Sequence, residues 1–191
     1  MDRTLSSIAT DRLAAAVLAR LGDDGPDHLR RYPEWGAVEV TTQPSGPDAM
    51  AVVAAVTDDT APCSVVGYAQ HRAHTLGLRL RVTHVWSRRP PEVTDVLLAS
   101  VLYNCLNPRD AAAAERAILH DPDTGRALQS LSRGARLLVL SAGTQMPRSG
   151  ILGDTVISLI GHTPCPLAIV LPPPIASPAW WSGTAGKEAT V

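Results

Sequence analysis

Short apolar runs that alternate with stretches of helical period constrain this chain more than any other feature. "MAVVAAVT" (50–57) is a continuous apolar run of strand length, the pattern of a parallel strand covered on both faces. "SVVGYAQHRAHTL" (64–76) has helical spacing and is closed by Gly77, and "LRLRVTHVW" (78–86) is a second strand. Pro90 and Pro91 precede a helix over 92–106, and "RAILH" (116–120) is a third strand. Acidic residues and Pro122 open a helix that Gly134 ends, before the buried strand "RLLVLS" (136–141). A loop, a helix at about 151–162 and a last strand, "PLAIVLP" (166–172), complete the series. Five strands alternating with four helices predict an α/β fold: a five-stranded parallel sheet with helices on both faces and right-handed crossovers. With strand order 3-2-1-4-5, the order reverses between the strands at 50–57 and 136–141, and ligands of such sheets sit outside the carboxyl ends at that point.

The chain ahead of this series has a different texture. "TDRLAAAVLARL" (10–21) is helical, with Thr10 as N-cap, Leu13, Val17, Leu18 and Leu21 on one face and Gly22 as the stop. That apolar stripe needs a partner. "AVEVTT" (37–42) alternates like a strand, and "QPSGPD" (43–48) is a turn or linker. Residues 1–49 therefore form an N-terminal extension, 50–173 the main domain and 174–191 an irregular tail, a division that fits one domain of 191 residues with decorated ends.

A formal net charge of −1 gives no basic field, so no nucleic-acid partner is expected. No apolar run reaches the roughly 18 residues of a membrane span, and the expectation is a soluble cytoplasmic protein without membrane contact. Three cysteines, Cys63, Cys105 and Cys165, lack C-x-x-C spacing and read as reduced, mostly buried thiols.

At this point the residues resemble a known family, the universal stress proteins. "VVAAVTDDT" is similar to the first strand and turn of that family, "LRLRVTHVW" to its second strand, and "GRALQSLSRGARLLVLSAG" to its third helix and fourth strand. "LGDTVISLIGHTPCPLAIV" is similar to its last helix and strand, with "HTPCPLAIV" the most distinctive piece. The resemblance covers 50–172 and implies a Rossmann-like fold of the kind shared with adenine-nucleotide hydrolases. It also implies a homodimer formed by antiparallel pairing of the last strands, here Leu167 to Leu171, which would bury an apolar edge.

Nucleotide-binding members of the family share G-x2-G-x9-G followed by Ser or Thr after the fourth strand. Glycines there let the backbone approach ribose and phosphate, while the hydroxyl and free N–H groups at a helix start receive phosphate oxygens. In "SAGTQMPRSGILGDT" (141–155), Gly143 and Gly153 keep the nine-residue interval, but Leu140 stands at the first glycine and Asp154 at the Ser/Thr position. Thr57 stands where the family has an adenosine-contacting Asp, and Asp58 and Asp59 are displaced toward the other strand face. By resemblance the nucleotide crevice comprises Thr57, Val85, Val139, Leu140, Gly143, Arg148, Gly153, Asp154 and Thr155. Arg148 can pair with Asp154 or an anion, and Thr155 offers a substitute hydroxyl. These departures predict a degenerate site in a regulatory module that requires no cofactor and acts through dimerisation and an unidentified protein partner. The alternative is a sensor that still binds ATP, AMP or a cyclic nucleotide.

Other candidates have plainer readings. His71 and His74 share a helix face without further metal ligands, and His162 with Cys165 is explained by the turn before the last strand. Cys63, near a helix start, is read as inert. "HLRRYPEW" (28–35) is read as a surface segment packing Tyr32 and Trp35 onto the main domain, and Trp180 and Trp181 as docked on this chain or a partner. No Ser/His/Asp order, nucleophile elbow, P-loop or carboxylate pair supports an enzyme.

Overall fold

A computed structural model describes residues 3–22, 28–56, 62–86, 91–143 and 151–172. The elements in chain order are α1 (Arg3–Leu21), β1 (Leu29–Tyr32), β2 (Ala37–Val40), β3 (Ala51–Val56), α2 (Pro62–Leu76), β4 (Arg79–Trp86), α3 (Pro91–Cys105), α4 (Pro108–Ala113), β5 (Glu115–His120), α5 (Thr124–Ser132), β6 (Ala135–Ser141), α6 (Asp154–Leu159) and β7 (Leu167–Val170). Local chemistry marks several boundaries. The Asn107 side chain accepts from the Asp110 amide at 2.9 Å and Asp123 from the Arg126 amide at 3.0 Å, each a side-chain N-cap. Gly77 ends α2 at φ +64, a left-handed conformation that costs glycine least.

All seven strands form one sheet in the order β1-β2-β7-β6-β3-β4-β5. The five strands from β3 onward are parallel to one another, whereas β1 pairs antiparallel with β2 and β2 antiparallel with β7. The expected five-stranded parallel sheet is thus corrected to a seven-stranded mixed one, because the extension supplies two strands of its own. β2 lies along the β7 edge that the expected pairing of two copies through Leu167–Leu171 would use.

Alternate residues of the central strands enter two cores. On one face Leu13 and Val17 of α1, Leu128 of α5 and Val156 and Leu159 of α6 pack with Val38, Val40, Val53, Leu138, Leu167 and Ile169. On the other, Val65, Val66, Tyr68 and Ala69 of α2 with Leu98 and Leu102 of α3 pack with Val52, Ala54, Val82, Leu137, Val139 and Val170. This two-sided burial is why the central strands read as unbroken apolar runs. The stripe of α1 is absorbed in the first core.

Other expectations also change. Helix α1 begins at Arg3 and not after Thr10; Thr10 is buried mid-helix, where its hydroxyl donates to the Ser6 carbonyl at 2.8 Å instead of capping. The helix expected over 151–162 is only six residues long, because Ile160 leaves helical dihedrals and Gly161 follows at φ +77. Cys63 and Cys105 are joined in a disulfide, which corrects their reading as reduced thiols. A sequence separation of 42 gave no spacing signal for it, since the bridge links the start of α2 to the end of α3. Cys165 is free and buried, and burial pushes its thiol up to about 12. Among the described residues no helix is long and apolar enough to cross a membrane.

Candidate functional site

The order of strands reverses at β3, which has β4 on one side and β6 on the other, and ligands of such sheets sit outside the carboxyl ends at that point. Beyond β6 the chain passes Ala142 and Gly143, and Gly153 returns against them. The Gly153 amide donates to the Ala142 carbonyl at 2.7 Å. Gly143 has φ +135, and a Cβ there would stand 3.3 Å from the Gly153 nitrogen. Gly143 is therefore required by its backbone conformation and by the close crossing, whereas a Cβ on Gly153 would meet Ala142 and Gly143 only at ordinary contact distance.

Asp154 begins α6 immediately after the crossing. It is exposed in the first turn, and Gly153, the N-cap, supplies no side-chain hydrogen bond. The carboxylate complements the positive end of the helix and puts negative charge at the mouth of the loop. Thr155 follows, half-buried, and its carbonyl accepts from the Ser158 hydroxyl at 2.8 Å. The structure thus brings together Gly143, Gly153, Asp154 and Thr155.

Three other expected residues stand differently. Val139 is fully buried in the core beneath α2 and α3, and Leu140 is buried in the opposite core with Leu152 and Val156. Their side chains are structural. Val85 lies near the end of β4, half-buried against the same core as Leu140. Thr57 and Arg148 lie outside the described residues, as do Asp58, Asp59, Trp180 and Trp181.

The carboxyl ends also carry groups that the glycine spacing did not reveal. His84, buried in β4, lies with Nδ1 3.0 Å from the Val56 carbonyl. A carbonyl can only accept, so Nδ1 is the donor in this contact. Trp86 and His120, the last residues of β4 and β5, are register partners whose ring centroids lie 4.1 Å apart. The only trace of this pair in the sequence is an aromatic residue ending each of two strand patterns.

Two further histidines are otherwise engaged. His71 stacks on Trp35 with centroids 5.0 Å apart, and His74 lies 2.7 Å from the Gln70 amide and 3.7 Å from Asp110. Among the described residues no three His, Cys, Asp or Glu side chains are grouped to hold a metal.

No protein-family model matches the chain, and no curated protein matches it in sequence. Solved structures do match. The universal stress protein from Archaeoglobus fulgidus is similar over 63% of this chain and 98% of its own, at 17% identity and TM-score 0.51. The same organism's universal stress protein in complex with dAMP covers 64% of this chain and 98% of its own, also at 17% identity and TM-score 0.51. A universal stress protein in complex with cAMP covers 66% of this chain and 99% of its own, at 20% identity and TM-score 0.50. Parallel strands in the order β5-β4-β3-β6-β7, the glycine crossing after β6 and these likenesses agree: the chain has the universal stress protein fold.

Proposed function

We propose that this chain is a non-catalytic regulatory module of the universal stress protein type, whose nucleotide site is degenerate and which acts through protein contacts. The observation that carries this reading is the exposed Asp154 carboxylate at the start of α6, directly beside the glycine crossing. A phosphate about 4 Å from that charge is opposed by about 1 kcal/mol in water and about 4 kcal/mol at an effective dielectric of 20. The exposure of Asp154 favours the lower figure for a single charge, and a nucleotide carries several. The Gly153 amide adds to the effect, because its donor is committed to Ala142. The expected loss of affinity is about one to three powers of ten.

A second reading, retained binding of ATP, AMP or a cyclic nucleotide, is supported by the intact Gly143–Gly153 crossing and by the nucleotides in the dAMP and cAMP complexes of similar fold. Thermal unfolding of the full chain in millimolar ATP, AMP or cAMP, with and without magnesium, separates the two. A ligand at 100 times its dissociation constant adds about 2.7 kcal/mol, and a shift of that size sinks the degenerate-site reading. The proposal expects a flat response. It also expects Asp154→Ser to gain a measurable shift; if it gains none, the committed Gly153 amide is the obstacle.

A further inference from the structure

Both edges of β7 are used within the chain. On one side β6 pairs with it in parallel; on the other β2 pairs antiparallel, from Ala37 opposite Val170 to Val40 opposite Leu167. The ladder continues past the strand, where the Leu171 amide donates to the Gly36 carbonyl at 2.9 Å.

Side chains add to this contact on both faces of β2. Glu39 is buried opposite Ala168, and its carboxylate accepts from the Arg72 Nε at 2.7 Å, the Tyr68 hydroxyl at 2.8 Å and the Tyr32 hydroxyl at 3.1 Å. Arg72 and Tyr68 belong to α2, so the network ties the extension to a helix of the main sheet. Trp35 lies edge-on to Tyr68 and stacks on His71, and the Arg72 guanidinium sits over the Tyr32 ring. The chain has four Trp, three Tyr and no Phe, and three of these scarce rings meet at this junction, which marks it as a built contact. On the opposite face Val38 and Val40 share a core with Leu13 and Val17 of α1 and with Leu167 and Ile169.

Register is fixed as well. A slip of one residue would turn Glu39 into the apolar core beneath α1 and remove it from Arg72. The outer edge that the extension presents in place of β7 is only four residues long and carries exposed Arg30 and Arg31, features that discourage further strand addition.

We propose that α1, β1 and β2 together are a built-in partner for the β7 edge: they close in cis the strand-pairing surface to which a second copy of the chain would otherwise add, with the Glu39–Arg72 pair fixing the register. The chain is then monomeric with respect to this edge. This inference is independent of nucleotide binding.

The test is amide hydrogen exchange at Leu171 and Leu167–Val170 in the full chain, read with light-scattering mass across a wide dilution series. Leu171 is expected to exchange at least roughly 100-fold slower than an unstructured amide, at a rate that does not change with dilution. A monomer, or a dimer whose dissociation leaves that rate unchanged, supports closure in cis. Protection that is lost as a dimer dissociates overturns it. Glu39→Gln keeps an acceptor for the phenols but removes the charge opposite Arg72, and it is expected to speed Leu171 exchange about tenfold. An unchanged rate overturns the role given to Glu39.

Discussion

Glu39 concentrates the energetics of single residues in this chain. Its carboxylate is buried with Arg72 and two phenols, so Glu39→Ala leaves a cation and two hydroxyl donors without their acceptor. Breaking a buried pair in this way costs about 3–5 kcal/mol. For a chain of this size that corresponds to a fall in Tm of about 6–20 °C, measurable by calorimetry. Tyr68→Phe removes one hydrogen bond to a charged acceptor and should cost less, about 1.5–3 kcal/mol. The same site sets the alkaline limit. Burial, and then the Glu39 charge, raise the Tyr68 phenol above its ordinary value, and the Cys165 thiol is likewise raised to about 12 by burial. In both cases the folded chain holds a proton that the unfolded chain releases, so the stabilisation is complete below the unfolded pKa and is lost as pH rises. Thermal stability should begin to fall near pH 9, where the unfolded thiol ionises, and more steeply above about pH 10, where the unfolded phenol follows. Tyr68→Phe should flatten the upper part of that fall. A steep decline that persists unaltered in Tyr68→Phe would exclude the phenol as its source.

At the scale of elements, legibility followed burial. Strands β3, β6 and β7 were readable because both of their faces meet helices, so hardly a polar residue interrupts them, and β4 because apolar residues recur among Arg79, Arg81, Thr83 and His84. Strand β1 was not, because "LRRY" has the composition of an exposed edge and is held by pairing with β2, which no local pattern encodes. The site divided in the same way. The interval between Gly143 and Gly153 survives as a backbone contact that demands glycine at 143, whereas Val139 and Leu140 proved to be core residues and the Trp86–His120 pair left no spacing to detect. The bridge from Cys63 to Cys105 was also hidden, since it depends on how α2 and α3 lie together. It is testable as an element-level staple. Closing a loop of this length should contribute about 2–4 kcal/mol, so reduction should lower Tm by about 4–16 °C. The unfolded, unreduced chain should titrate one thiol and the reduced chain three; three thiols without reductant would remove the bridge. A persistent bridge would also weigh against residence in the reducing cytoplasm, where disulfides are rarely kept.

For the whole molecule, the question is whether the extension is an appendage or part of the folding unit. An appendage would have a core of its own, or none, and would melt separately. Here α1 and β2 have no separate core: Leu13, Val17, Val38 and Val40 are buried with Val53, Leu138, Leu167 and Ile169 of the main sheet. At about 1.5–3 kcal/mol for each large side chain buried, those four residues are worth a sum comparable to the entire net stability of an ordinary domain. The extension therefore cannot detach while the sheet stays intact without exposing β7 and part of one core. Unfolding of the full chain should be one cooperative transition, with the calorimetric enthalpy equal to the van't Hoff enthalpy. Glu39→Ala should move that transition as a whole and should not split it. A low-temperature step confined to the amides of α1, β1 and β2 would instead make the extension a separate unit, one able to leave β7 open to a second copy.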